Sequence, residues 1–248
     1  MTPDQSQLAS WRSLRNLATA DSSPSLAQVC DPNLGTFEDA VRRARLCRER
    51  SDQFDVKLSA YLQTQCLAEH LQIPAILRGL EVLDTITEPD HLLRVLRCFL
   101  RLGVPQVASK CVLMLGRRCP SPDWMKHVMA EGDDRVRANL IESLWGRAEV
   151  EDVQPILQDA LRDGHHRVAA NAAYGLFLCG HDDHRSGIEL LISSRSPEYR
   201  RAGIWVIKTI GGGEAVIRVK PLIGDSDALV RRAAFAALVT LRQQTGRR

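Results

Sequence analysis

The segment VRANLIESL at residues 136–144 recurs along the chain as VASKCVLML at 107–115, VAANAAYGL at 168–176, YRRAGIWVI at 199–207 and VRRAAFAAL at 230–238. Successive segments begin 29, 32, 31 and 31 residues apart. Each has an apolar residue at its first and ninth positions and mostly small or apolar residues at the fourth and fifth, which is one stripe of an α-helix. The near-constant period predicts a stack of repeated helical units.

Turn residues stand in front of four of these helices, and a shorter apolar-periodic run stands in front of each turn. The turns are Gly132-Asp133-Asp134, Asp163-Gly164, Ser196-Pro197 and 224–227, and the runs cover 124–130, 150–161, 188–192 and 215–223. Asp, Ser and Gly are the residues that begin helices and permit reversals. Weaker pairs at 91–102 with 105–116 and at 54–71 with 74–83 bring the total to about six hairpins. We therefore expect an all-α fold, an α-solenoid or superhelix.

The pattern Asp-x-x-Val-Arg-x-x-Ala is clearest at 133–144 and 227–238. It resembles the HEAT repeat, in the short bacterial form also seen in phycobilin-lyase-like proteins, and the resemblance covers residues 54–241. It implies a stack of hairpins whose second helices line a concave binding face. It implies no particular partner, because the motif residues are the ones that build the stack.

A structural ladder of arginines and aspartates is the second feature that the resemblance implies. Arg137, Arg200 and Arg231 follow the first apolar position of their helices and resemble the HEAT arginines that pair with turn aspartates, here Asp134 and Asp227. Such pairs satisfy helix N-terminal donors and fix the rotation between hairpins.

The hairpin that begins at residue 150 departs from this pattern. Ala169 takes the arginine position, and two adjacent histidines, His165 and His166, occupy the turn. A metal site or a pH switch is the functional alternative there. Adjacent turn residues point in different directions and no further ligand has suitable spacing, so we predict no metal site.

The chain before the repeats has a different character. Leu8, Trp11, Leu14 and Leu17 form an apolar stripe on a predicted short helix, and a Ser/Pro-rich stretch follows from Asp21. We assign residues 1–36 to this helix and linker and 37–248 to the repeat domain. The helix, with the arginine-rich helix predicted at 37–50, is expected to cap the first hairpin, and a docking peptide is the alternative.

Composition restricts the compartment and the partners. The seven cysteines lack Cys-x-x-Cys spacing and lie mostly within apolar helical patterns, which predicts reduced thiols and a cytoplasmic protein. There is neither a signal-peptide pattern nor an apolar run long enough to span a membrane. The net charge is only +3, yet from Ser194 onward eleven Arg and Lys face four Asp and Glu. A basic C-terminal end is compatible with an anionic partner.

A binding face follows from helical geometry. With positions one, four, five, eight and nine in the core, positions three, seven and ten are predicted to point outward, including Ala138 and Ala170. Aromatic and basic residues, which dominate binding hot spots, concentrate there. The candidate partner-binding residues are Glu142, Tyr174, Arg201, Trp205, Lys208 and Arg232. Trp205 and Phe177 have packing between hairpins as their alternative.

The predicted function is a non-catalytic adaptor that binds another protein. The alternative is a nucleic-acid binder that uses arginines and aromatic residues, with a DNA alkylation-repair glycosylase, which would use Glu142 beside Trp145 and Tyr174, as its enzymatic form. A di-iron deoxyhypusine hydroxylase would need several His-Glu pairs, and no histidine here precedes a glutamate. A bilin lyase has no short motif that would identify or exclude it. The glycines at 211–213 end a helix more simply than they bind phosphate, and we predict neither catalytic residues nor a cofactor.

Overall fold

The fold is described from a computed structural model, which describes residues 26–51, 53–65, 68, 70–86, 89–101, 103–118, 121–150 and 152–245. These residues form fourteen α-helices and one 3-10 helix, with no β-strand among them. The predicted all-α class is therefore confirmed. The α-helices are α1 Leu26–Cys30, α2 Phe37–Arg50, α3 Phe54–Gln65, α4 Ile73–Ile86, α5 Pro89–Arg101, α6 Pro105–Arg118, α7 Pro122–Glu131, α8 Asp134–Ser143, α9 Val153–Ala160, α10 His166–Leu178, α11 Asp183–Ile192, α12 Pro197–Ile210, α13 Gly213–Val219 and α14 Ala228–Thr245. The 3-10 helix is Lys220–Gly224.

The chain divides into two compact units, Met1–Cys111 and Val112–Arg248, with the division inside α6. In the first unit α3 packs against α4 and α5, and α2 packs against α4. Its fully buried side chains include Leu58, Leu80 and Phe99. Where the sequence suggested a linker, α1 forms a short helix against α4 and buries Val29 and Cys30.

The second unit is a stack of helical hairpins. The second helices α8, α10, α12 and α14 pack in succession, each against the next, while α7, α9, α11 and α13 are the first helices. The core of this stack is built from alanines and branched aliphatic residues of both the first and the second helices, among them Ala173, Ile188, Ile204, Val230 and Ala234. Small residues let the second helices approach closely, and the aliphatic ones fill the space between hairpins.

Local signals in the sequence explain where the helices begin and end. Thr36 and Asp39 form a capping box at the start of α2, and Asp133 accepts a hydrogen bond from the Val136 amide at the start of α8. Gly211 adopts a φ of 71° and ends α12, as the glycine run predicted.

Two details of the sequence prediction were wrong. The first helix of the last hairpin was expected to continue to residue 223, but α13 ends at Val219 and a 3-10 helix follows. Pro221 explains the change, because its ring blocks a continued α-helical hydrogen-bond pattern. Position three of the second helices was expected to point outward, yet Ala138 and Ala170 are buried. Ala170 packs into the core that α10 shares with the helices that follow it.

Candidate partner-binding face

Two arginine–aspartate pairs tie consecutive hairpins together, and we call each such pair a rung. Arg137 donates from Nε to Asp163 Oδ2 at 2.8 Å and from Nη2 to Oδ1 at 3.0 Å. Arg200 makes the same forked contact with Asp225, at 2.7 Å to each oxygen. All four side chains are largely buried. A guanidinium fork fits a carboxylate in this geometry and fixes the orientation of one hairpin on the next.

The carboxylates in these rungs differ from those expected. Asp134 instead lies 3.1 Å from Nε2 of His165, and Asp227 accepts hydrogen bonds from the amides of Leu229 and Val230 at the start of α14. In its own turn each arginine meets main-chain carbonyls, as Nη1 of Arg137 does with Gly132 at 2.8 Å. The other two guanidinium nitrogens, Nε and Nη2, bind the aspartate in the turn of the next hairpin. The expected pairing within one turn was therefore wrong.

The interruption of the ladder at Ala169 has a matching change in the following turn. Asp163 and Asp225 each also accept an amide hydrogen bond from two residues further on, both at 2.8 Å. At the corresponding place in the turn before α12, Ser194 accepts from the Ser196 amide at 3.2 Å. A serine keeps this turn contact but carries no charge. The arginine and the aspartate are thus missing together, so neither is left buried and unpaired.

An aromatic cluster, consisting of Trp145, Tyr174 and Trp205, lies across the second helices α8, α10 and α12. The rings of Trp145 and Tyr174 meet edge to face with centroids 4.9 Å apart. Trp205 stands 5.8 Å from Tyr174 and 6.4 Å from Trp145, nearly parallel to the latter. Trp205 is 36% exposed. Three neighbouring hairpins therefore contribute to one aromatic surface open to solvent.

Trp145 is held by a contact that the sequence did not reveal. It follows the end of α8, and its indole N–H donates to the main-chain oxygen of Asn171 at 2.9 Å. The buried Asn171 amide donates in turn to the Ala138 oxygen at 2.9 Å, which joins α10 to α8. The available signal was a single amide within an alanine-rich helix face. A buried amide needs hydrogen-bond partners, so an asparagine at this position is a signal for a specific contact that was not among the sequence-based predictions.

A cleft of about 420 Å³ opens beside the aromatic cluster. It is lined by Glu142, Trp145, His166, Arg167, Ala170, Asn171, Ala202 and Trp205. The Glu142 side chain is 25% exposed and lies 3.8 Å from Arg167 and 3.9 Å from Arg117. Among the described residues no group donates a hydrogen bond to this carboxylate. The cleft thus combines apolar walls with a carboxylate that can still accept hydrogen bonds.

His166 also lines this cleft. Its ring lies 4.4 Å from that of His165 and 6.1 Å from that of Tyr199. Burial, and next the neighbouring His165, lower the pKa of His166 below its usual value of 6.5. The imidazole is consequently neutral at pH 7 and adds a flat, uncharged surface.

The remaining predicted binding residues are distributed unevenly. Arg201, at position three of α12, is half-buried, and its Nε is buried without a hydrogen-bond partner. Lys208 is half-buried near the end of α12, and Arg232 is exposed on α14. Neither lines the cleft. The structure therefore brings Glu142, Tyr174 and Trp205 together, with Trp145, which the glycosylase alternative had grouped with Glu142 and Tyr174, beside them. It adds Arg167 and Asn171 to this set.

Other predictions are outside what the structure describes or concern features that it lacks. The Leu8, Trp11, Leu14 and Leu17 stripe lies outside the described residues. Within the described ranges, no three His, Cys, Asp or Glu side chains are grouped as metal ligands would be. Nor is any described helix long and apolar enough to cross a membrane.

Comparisons with known proteins identify no family for this chain. No protein-family profile and no curated protein matches the sequence. Among solved structures, human deoxyhypusine hydroxylase in complex with glycerol matches 98% of this chain and 92% of its own, at 14% identity and a TM-score of 0.37. A superposition this loose establishes neither shared architecture nor shared activity.

Proposed function

We propose that this chain is a HEAT-type adaptor of the cytoplasm, which binds a protein partner on the face formed by its second helices. The observation that carries the proposal is the aromatic cluster and its adjoining cleft. Trp145, Tyr174 and Trp205 come from three hairpins, and rigid aromatic surface of this kind is characteristic of binding hot spots. Contiguous apolar patches on a protein surface mark binding sites when they are large, and here the half-buried Trp145 and Tyr174 extend the exposed Trp205.

The chemistry of the cleft specifies what the partner must present. Its volume of about 420 Å³ accommodates one or two side chains. Trp145 and Trp205 favour an apolar or aromatic group, and Glu142 requires a donor, either a main-chain N–H or a basic side chain. Arg167, half exposed at the rim, favours a nearby acidic group or carbonyl. A protein segment supplies all of these groups within a few residues.

The test compares Trp205→Ala with Leu190→Ala in the full chain. Leu190 is a matched control, because it is 51% exposed on α11 and outside the cleft. Proteins captured from lysate of the source cell are quantified by mass spectrometry for the wild type and both variants. We expect Trp205→Ala to reduce capture of a specific partner by about tenfold or more, and Leu190→Ala to retain it. Equal capture by all three proteins would refute the binding face.

A nucleic-acid binder, with base repair as its reaction, is the second candidate function. The observation that favours it is that one cleft contains Glu142, Arg167 and the two nearly parallel tryptophans. Aromatic faces stack on bases, and arginine binds phosphate. Arg201 and Arg232 weaken this candidate, since one is half-buried and the other is outside the cleft.

Salt dependence separates the two candidates. Binding of the purified chain to labelled duplex and single-stranded DNA is measured at about 50 and 200 mM salt. Micromolar binding that falls steeply with salt, and is lost in Arg167→Glu, would favour the nucleic-acid function. Release of alkylated bases that disappears in Glu142→Gln would then identify the reaction. Absence of binding at the lower salt leaves the protein-binding function.

A further inference from the structure

The second helix α14 exposes a position that is buried in the three second helices before it, α8, α10 and α12. Position six of the second helices is Ile141 in α8, Ala173 in α10 and Ile204 in α12, which are 0%, 0% and 2% exposed. The same position in α14 is Phe235, which is 64% exposed. Position three follows the same trend, because Ala138 and Ala170 are buried, Arg201 is half-buried and Arg232 is exposed. Ala173 and Ile204 belong to one core with Val230 and Ala234 of α14.

The exposed residues form one continuous surface, which we call the end face. Phe235 follows Arg231 by four residues and Arg232 by three, and Val239 follows Phe235 by four, so these side chains lie on one side of α14. Val239 is 44% exposed, and both arginines are exposed. The end face is thus an apolar stripe bordered by two positive charges.

Arg231 has the main-chain contacts of a rung arginine but no carboxylate partner among the described residues. Its Nη1 donates to the main-chain oxygens of Asp225 at 2.8 Å and Ser226 at 2.9 Å. Arg200 makes the equivalent contacts with Ser194 and Arg195, both at 2.9 Å, while its fork holds Asp225. No carboxylate of the described residues pairs with Arg231. The terminal arginine therefore has the carbonyl contacts of a rung without the acid.

We propose that the end face binds an amphipathic helical segment of a partner protein, whose apolar stripe covers Phe235 and whose carboxylates pair with Arg231 and Arg232. The Arg137 and Arg200 rungs show the chemistry of the contact: an acid from the following helical unit enters the arginine fork while aliphatic residues cover position six. This surface is separate from the cleft, so the proposal does not depend on the proposed function.

Charge argues against two other occupants. A symmetric contact between two copies would bring Arg231 and Arg232 of each chain near those of the other, and like charges in contact are unfavourable. The apolar stripe predicted near the N-terminus, from Leu8 to Leu17, contains Arg12 and Arg15 and no acid. An acidic helix is complementary to the end face in both charge and apolar pattern.

The experiment uses the full chain and two synthetic helical peptides. Both have leucines at helical spacing, flanked by Asp and Glu in one peptide and by Lys in the other. Fluorescence anisotropy measures their binding to the wild type, Phe235→Ser, Arg232→Glu and the control Leu190→Ser. We expect the acidic peptide to bind the wild type and Leu190→Ser alike, and about tenfold or more weaker binding by the other two variants. The Lys peptide should bind poorly except to Arg232→Glu.

Three results would overturn the proposal. Equal affinity of the wild type for the two peptides would contradict the proposed charge complementarity. Unchanged binding of the acidic peptide by Phe235→Ser would show that the end face is not the binding site. Self-association in sedimentation velocity that Phe235→Ser abolishes would instead assign the end face to a second copy of the chain. Circular dichroism of each variant confirms that the helical stack is intact. Phe235 and Arg232 are exposed, so their substitution leaves the core unchanged.

Discussion

Removing the Arg137–Asp163 rung should cost far more stability than removing an exposed ion pair. The Arg137 and Asp163 side chains are only 22% and 10% exposed, and the fork makes two charge-assisted hydrogen bonds of 2.8 and 3.0 Å. Hydrogen bonds to charged groups contribute more than neutral ones, but the residual exposure of the arginine reduces the gain. We expect a coupling free energy of about 2 kcal/mol between the two side chains.

A double-mutant cycle measures this coupling. Arg137→Met keeps the aliphatic stem, and Asp163→Asn retains the acceptor for the His165 amide. The free energy of unfolding is obtained from urea denaturation of the wild type, both single variants and the double variant, followed by circular dichroism. The double variant should be more stable than the sum of the two single losses predicts, because neither charge is then left unpaired.

Lys126 and Asp152 provide the matched control. Nζ of Lys126 lies 2.6 Å from Oδ2 of Asp152, but the two side chains are 61% and 31% exposed. The same cycle with Lys126→Met and Asp152→Asn should give a coupling of only about 0.2–1 kcal/mol. If the two cycles gave equal couplings, the reasoning that burial and the forked geometry make the rung strong would be refuted.

Three further predictions concern pH, thiol reactivity and packing. Arg200 lowers the pKa of Asp225 below its usual 3.8, so the stability from this pair is complete above about pH 4 and is lost as the pH falls through the lowered pKa. The difference in urea midpoint between the wild type and Asp225→Asn should therefore shrink from pH 6 to about pH 2. A difference that widens on acidification would contradict this prediction. Burial raises the pKa of Cys30 to about 12, so iodoacetamide at about pH 8 should spare this thiol in the folded chain and modify it in urea, as peptide mass spectrometry would detect. A Cβ on Gly116 would lie 1.9 Å from Ser143 Oγ, so Gly116→Ala should destabilise the chain by about 1–3 kcal/mol, whereas unaltered thermal unfolding would indicate a looser contact between α6 and α8.

The sequence alone determined the all-α class, the period of the second helices and most of the turns. These features depend on local chemistry: apolar spacing, capping side chains and residues such as Gly211 that permit a reversal. The same information located Glu142, Tyr174 and Trp205 on consecutive hairpins. It also grouped Trp145 with Glu142 and Tyr174, but it did not reveal the hydrogen bond from the Trp145 indole to the Asn171 oxygen, because Trp145 follows the end of α8, where helical periodicity no longer applies.

Only the tertiary structure decided which groups meet between hairpins. The packing of one hairpin on the next buries Ala138 and Ala170, joins Arg137 to Asp163 instead of Asp134, and brings Trp145 to the Asn171 oxygen. This packing involves many small and aliphatic side chains at once, so a periodic pattern within one helix does not encode it. For the same physical reason the sequence does not distinguish Phe235 from the residues at position six of the preceding second helices, which are buried, whereas Phe235 is exposed in the structure.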